Sequence, residues 1–176
     1  MPKIIENIRE TAIAESRKVL ENDGYNKLTM RDIAAKCGIA VGTMYNYFES
    51  KEYLTGCVIL EDWQTCYKDM QEATGSSPDT RDGLKQIYRL MGDFVSAHQY
   101  LASVDRSKAQ GIDGYEKRHS IVLGHMTSLL DDLFSRFSLS IDPLIRTVIA
   151  ELILNMSEKH YDYSEIEPVL IKLLET

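Results

Sequence analysis

An all-α fold of about nine helices is what this sequence predicts, on three observations. Apolar residues recur at spacings of three and four along most of the chain, which lays one stripe along a helix. Only 4 Pro and 10 Gly interrupt 176 residues, few breakers for that length. No stretch alternates apolar and polar residues as a half-buried strand does, and there is no internal repeat. At 44% hydrophobic, the chain has enough apolar surface to bury the core of one large or two small domains.

The first helix is predicted from about Pro2 to Asn22, where Ile5, Ile8, Ala12, Ile13, Ser16, Val19 and Leu20 form one stripe. Gly24 in "NDGY" supplies a left-handed cap. In "LTMRDIAAKCG", Thr29 is a strong N-cap residue with Asp32 three positions on, and Gly38 ends the helix. After the break "CGIA" a short helix spans Ala40 to about Phe48, and Ser50 caps the next, Lys51 to about Ala73. "TGSSPDT" is the clearest break in the chain. Ser77 and Pro78 read there as cap and first residue of a helix reaching about Tyr100. The signal is weak between Leu101 and Gln110. A helix follows from near Gly114, with Val122, Met126, Leu129, Leu133 and Phe137 on one stripe. Asp142-Pro143 opens another, apolar over a broad face, and "SEIEP" opens the last.

Net charge is −7, unevenly spread. Residues 1–51 hold 8 Lys+Arg and 7 Asp+Glu, for +1; the remainder holds 12 and 20, for −8. That excludes a non-specific nucleic-acid coat. Cys37, Cys57 and Cys66 have no C-x-x-C spacing, no secretory signal precedes them, and no apolar run reaches the ~18–20 residues of a membrane span. Free thiols in a reducing cytoplasm are expected, with no membrane association.

Two short helices joined by a tight glycine-containing turn, braced by a longer one, form a helix-turn-helix, whose second helix enters the DNA major groove. At 100° per residue from Met44, Phe48 falls at about 40°, Val41 at about 60° and Ala40 at about −40°, an inward apolar stripe. Gly42 and Asn46 lie opposite, Thr43 and Tyr45 flank them, and Tyr47 is at the rim, placed either to pack on the next helix or to face out. The outward face offers hydrogen-bonding groups and no acid. Asn pairs bidentately with adenine, Thr touches base edges or the thymine methyl, and Tyr hydroxyls reach phosphates. Lys51 opposes the macrodipole in the first turn of its helix, a cost that a phosphate at that spot reverses.

"LTMRDIAAKCGIAVGTMYNYFESKEYL", residues 28–54, resembles the DNA-binding domain of the TetR family of bacterial transcriptional regulators. The resemblance covers roughly the first 55 residues and implies a two-part chain. Residues 1–50 would form the helix-turn-helix domain, and 51–176 a ligand-sensing and dimerisation domain, with helix 51–73 connecting the two. It implies a DNA-facing set of Thr29, Arg31, Val41, Gly42, Thr43, Tyr45, Asn46, Tyr47 and Lys51, in which Gly42, Thr43 and Asn46 meet bases while Thr29, Tyr45, Tyr47 and Lys51 meet phosphates. Two positions depart from the family pattern: Val41, often polar or basic there, and Glu49, often lysine.

The implied function is that of a homodimeric repressor, released from a near-palindromic double-stranded operator when a small hydrophobic or aromatic effector binds the second domain and moves the connecting helix. The alternative is an adaptor without effector, whose acidic second domain docks a protein. An internal cavity there favours the first reading and a filled core the second. Trp63, Tyr67, Tyr88, Met91, Phe94, His98, Tyr115, His119, Met126 and Phe134 are the pocket candidates, a pattern that equally describes core. The apolar faces of the last two helices exceed one packing stripe, so Leu144, Val148, Leu152, Met156, Val169, Leu170 and Leu173 are assigned to a four-helix dimer interface. The four histidines have no compact metal spacing. No nucleotide loop or nucleophile–base motif is present, so neither cofactor nor enzymatic activity is expected.

Overall fold

The computed structural model describes residues 7–99 and 111–175, with side chains in the second stretch described from His119 onward. Among these residues there is no strand, and the α-helices are α1 (Ile8–Asp23), α2 (Met30–Lys36), α3 (Val41–Tyr47), α4 (Lys51–Ser76), α5 (Thr80–Ala97), α6 (Gly111–Arg136), α7 (Pro143–Glu158) and α8 (Tyr163–Leu174). The fold class is all-α, with eight helices among the described residues against about nine expected; the weak stretch 101–110 lies outside them. The chain divides into two compact units, one of Met1–Trp63 with Ala97–Ala109 and one of Gln64–Ser96 with Gln110–Thr176.

In the N-terminal unit, α1 buries Ala12, Ile13, Ser16, Val19 and Leu20, the predicted stripe. Among the described residues it begins at Ile8, after Asn7 at φ +74°; the expected start from about Pro2, with Ile5, lies outside the described residues. Gly24 takes φ +81° with ψ 170°, extended rather than left-handed helical, while its N–H still caps the Val19 carbonyl at 3.1 Å. A 3-10 turn at Tyr25–Lys27 then leads to α2, capped as predicted: Thr29 Oγ1 accepts from the Asp32 N–H at 3.1 Å. Gly38 makes the turn into α3 at φ +66°. Ala40 is extended (φ −69°, ψ 147°) and exposed, contrary to its inward place on an ideal wheel, because it caps α3 rather than belonging to it. Met44 and Phe48 are fully buried among Leu20, Leu28, Ile33, Ala34, Leu54 and Val58, and Val41 packs half-buried against the same core. Ser50 caps α4 through the Tyr53 N–H at 3.0 Å.

Charge also holds α1 to α4. Arg17 donates from Nε to Asp62 Oδ1 at 2.7 Å and from Nη2 to Glu61 Oε2 at 3.0 Å, while His98 Nε2 lies 3.0 Å from Asp62 Oδ2. Both Asp62 oxygens are thus engaged. Burial pushes the Asp62 carboxyl up, but hydrogen bonds from His98 and Arg17 and the Arg17 charge outweigh it and hold it below the usual carboxylate range.

In the C-terminal unit α4 continues to Ser76, three residues past its expected end, because the chain satisfies its own last turn. Thr74, Ser76 and Ser77 hydroxyls turn back onto the Met70, Glu72 and Ala73 carbonyls, and Arg136 Nη1 donates to the Thr74 carbonyl at 2.6 Å. With Ser77 so occupied, the cap of α5 is Asp79, whose Oδ1 accepts from the Asp82 N–H at 2.8 Å. Asp142 caps α7 through the Leu144 N–H, as expected. The cap of α8 is Asp162, in a reciprocal box with Glu165, slightly before the "SEIEP" signal. The core of this unit is Leu84, Ile87, Tyr88, Met91, Met126, Leu129, Leu130, Leu133, Phe134, Ile149, Ile153, Ile166 and Leu170.

Because its folded pKa lies below the unfolded value of about 3.9, Asp62 stabilises the fold fully above that value and loses the contribution as pH falls through the folded pKa. Urea midpoints measured from neutral pH downward fall below about pH 4. Asp62→Asn lowers the neutral midpoint and flattens that acid limb.

Candidate nucleic-acid interface

α3 is seven residues long and has no side-chain cap at its start. Helices this short are not stable alone, so α3 persists because Met44 and Phe48 anchor it. That anchoring fixes what faces out. Gly42 and Asn46 are exposed, Thr43 is half-buried, Tyr45 is 50% exposed and Tyr47 41%. A methyl group placed on Gly42 meets nothing within 4 Å, so neither packing nor backbone conformation within the chain requires glycine there. Ile39 and Val41 flank the helix start as partly buried supports.

Thr29 and Arg31 are exposed on α2. The Thr29 hydroxyl donates to Asp32 Oδ2 at 2.7 Å, so it is already engaged within the cap. Glu49, which departs from the family pattern, is exposed just past α3.

Lys51 opens α4 half-buried, its Nζ 3.9 Å from the centroid of the Tyr25 ring. Burial lowers the pKa of its ammonium, partly opposed by the charge of Glu52. Tyr25 is 8% exposed, and its hydroxyl donates to Glu52 Oε1 at 2.8 Å. Burial and that bond to an acid raise the phenol pKa. Burial pushes Glu52 up as well, but its own N–H, the Tyr25 and Ser50 hydroxyls and Lys51 outweigh this and lower it. Sequence reasoning missed Tyr25. It carries no motif, and only the 3-10 turn brings it beneath a residue 26 positions on. Arg9 was also missed; its guanidinium lies 5.1 Å from the Phe48 ring centroid and donates to Cys57 Sγ at 3.4 Å.

The ten pocket candidates do not fall in one unit. Trp63 (3% exposed) and His98 (7%) belong to the N-terminal one. In the C-terminal unit Tyr88, Met91, Met126 and Phe134 are buried, with the Tyr88 hydroxyl donating to the Tyr161 carbonyl at 2.7 Å. Tyr67 and Phe94 are half-buried, and Tyr67 stacks on His125 with centroids 4.6 Å apart. His119 lies 3.1 Å from Glu151 Oε1, and the Tyr115 side chain lies outside the described residues. Of the nine whose side chains are described, Phe134 alone borders a recess of about 390 Å³ at the α6–α7 turn, alongside Asp131, Ser135, Ser138, Leu139, Ser140, Ile141 and Arg146.

Of the interface candidates, Leu144, Val148 and Val169 are exposed, Leu144 at 70%. Leu152, Met156 and Leu173 are half-buried, and Val148, Leu152 and Met156 line a shallow recess of about 380 Å³ along α7. Leu170 differs: with Ile166 it occupies the inward side of α8 and is fully buried within its own unit. All three cysteines are free. Burial, reinforced by Asp69 and Asp93, pushes the Cys66 thiol up to about 12, and burial raises Cys37 too, so neither is a thiolate at neutral pH. Among the described residues no cluster of His, Cys, Asp or Glu is arranged to hold a metal, and no helix is long and apolar enough to cross a membrane.

Residues 12–55 match the family model described as bacterial regulatory proteins, tetR family. The chain is 22% identical over 120 residues to the HTH-type transcriptional repressor KstR of Rhodococcus jostii, a span of 68% of this chain and 54% of that protein. It is 30% identical over 64 residues to the HTH-type transcriptional regulator UidR of Escherichia coli, 36% of this chain and 33% of that one. It thus spans about half or less of the curated relatives it matches. Its fold is that of a transcriptional regulator from Cytophaga hutchinsonii (TM-score 0.70, 18% identity, 97% and 96% of the two chains covered). It is also that of FadR from Bacillus subtilis, solved in complex with stearoyl-CoA (TM-score 0.62, 20% identity, 94% and 96% covered). Residues 12–55, which build the helix-turn-helix, thus match the DNA-binding part of the tetR family of bacterial regulatory proteins, and the chain as a whole shares the fold of the solved regulators.

Proposed function

We propose that this protein regulates transcription by binding a near-palindromic DNA duplex as a homodimer, with residues 1–50 as the reading domain and 51–176 as the sensing and dimerisation domain. One observation carries the DNA reading: Gly42 stands in open space at the centre of an outward face shared with Thr43, Tyr45 and Asn46, on a helix pinned by Met44 and Phe48. A glycine that the fold does not need lets a major-groove edge come close to the backbone. Thr43 and Asn46 then reach base edges, while Thr29, Arg31, Tyr45, Tyr47 and Lys51 lie towards phosphates, with Val41 at the margin of the contact. Dimerisation is supported by the exposed apolar strip of Leu144, Val148 and Val169 with the half-buried Leu152, Met156 and Leu173.

The finer reading is a repressor released by an apolar effector, as the stearoyl-CoA held by the structurally similar FadR suggests. The burial of Tyr88, Met91, Met126 and Phe134 supports the second reading, an adaptor with a filled interior that docks a protein partner.

The test begins with duplexes selected from a random pool by the wild-type chain. Gly42→Ala leaves stability unchanged or raises it by up to ~1 kcal/mol, since alanine is the better helix former, yet weakens binding at least about tenfold. Thr43→Ala with Asn46→Ala removes discrimination between selected and random duplex; undiminished preference would sink the base-reading assignment. Leu144→Glu with Val148→Glu keeps the helical content and shifts sedimentation from dimer to monomer, with duplex affinity lost alongside. Stearoyl-CoA releases the bound duplex if the effector reading holds, and leaves it bound on the adaptor reading.

A further inference from the structure

Tyr25 lies outside the outward face of α3, yet two of its parts engage the first two residues of α4 separately. The ring lies under the Lys51 ammonium at 3.9 Å, well inside the ~6 Å reach of a cation–π contact, and the hydroxyl donates to Glu52 Oε1 at 2.8 Å. Burial fixes the ring itself, which is only 8% exposed.

We propose that Tyr25 is a positioning residue for the phosphate contact of Lys51, holding the ammonium on its ring face while its hydroxyl keeps the neighbouring carboxylate of Glu52 away from that ammonium. The inference rests on the assignment of Lys51 to a phosphate. Lys51 sits where the helix macrodipole disfavours a cation, and an acid stands next to it in sequence. Left unengaged, a half-buried carboxylate there competes with phosphate for the ammonium. The Tyr25 hydroxyl gives that carboxylate another partner, at 2.8 Å. Among the described residues no ion pair joins Lys51 to Glu52, as this division of partners requires. The ammonium keeps the ring face, which attracts it without neutralising its charge.

The experiment measures affinity for the selected duplex against KCl concentration, by fluorescence anisotropy, for the full-length wild type and four variants, each checked by thermal melting. Lys51→Ala lowers the slope of log affinity against log salt by about one for each protomer bound. Tyr25→Phe, which keeps the ring, lowers the slope in the same direction and weakens binding about three- to tenfold at 0.15 M salt. Tyr25→Phe with Glu52→Gln returns affinity to within about twofold of wild type, a rescue that a merely structural tyrosine does not give. Glu52→Gln alone binds as wild type does, because Tyr25 already occupies that carboxylate. If Lys51→Ala lowers the slope but Tyr25→Phe does not, or Glu52→Gln fails to rescue it, the proposal falls and the phosphate contact stands. A several-fold gain from Glu52→Gln alone overturns it too, and this arm holds even where Tyr25→Phe unfolds. An unchanged slope in Lys51→Ala removes the phosphate assignment and the proposal with it.

Discussion

A helix of seven residues has too few internal hydrogen bonds to repay its own ordering in water, and α3 has no side-chain cap at its entrance. Its existence is therefore a consequence of burial. Met44 and Phe48, four residues apart, enter the core formed by α1, α2 and the first turns of α4, and both reach zero exposure. Everything on the opposite side of the helix inherits its direction from those two side chains. Thr43, Tyr45 and Asn46 need no interactions of their own to be held in place, which leaves their polar atoms available to a partner. The same economy explains why a glycine is tolerated at the centre of so short a helix: stability is supplied from beneath, so the ~1 kcal/mol propensity cost of Gly42 does not decide whether the helix forms.

Local chemistry made most of the N-terminal unit readable. Thr29 with Asp32, Gly38, Ser50 and the Met44–Phe48 spacing are each short-range signals, and each element they mark is where the periodicity puts it. The errors came where a local signal was outvoted by a distant partner. "TGSSP" looks like a break, yet Arg136, 62 residues on, donates to the Thr74 carbonyl and α4 runs through the threonine. Ser77 looks like a cap but its hydroxyl is spent on the helix behind it, leaving the role to Asp79. Ala40 fell on the buried side of an ideal wheel because a wheel assumes helical backbone at every step, and Ala40 is extended.

The exposure of the candidate site was legible to the same degree and for the same reason. Outward-facing residues of α3 follow from period and anchor, so their exposure could be read in advance. Tyr25 could not, because its relevance depends on a 3-10 turn that places its ring against another helix. In the C-terminal unit an aromatic and methionine stripe at helical spacing is compatible with core and pocket alike, and the burial of Tyr88, Met91, Met126 and Phe134 shows that side chains such as these first serve to close the interior. Leu170 makes the complementary point on α8: it shares the apolar character of Val169 but points the other way, one residue being a step of about 100° around the helix.

The imbalance of charge, +1 over residues 1–51 and −8 over the rest, has a kinetic consequence on the DNA-binding reading. Most of the attraction between proteins and random duplex is sequence-independent and scales with the number of phosphates neutralised. A chain whose larger part is acidic gathers little of that attraction and is repelled by the polyanion wherever its reading face is turned away. It lingers briefly on any stretch without its target, so the search proceeds by many short encounters rather than long one-dimensional excursions. The gap between correct and incorrect sites is then set chiefly by the few groups of α3 that touch bases, and occupancy becomes sensitive to ionic conditions at the small number of cations, Lys51 among them, that flank that helix.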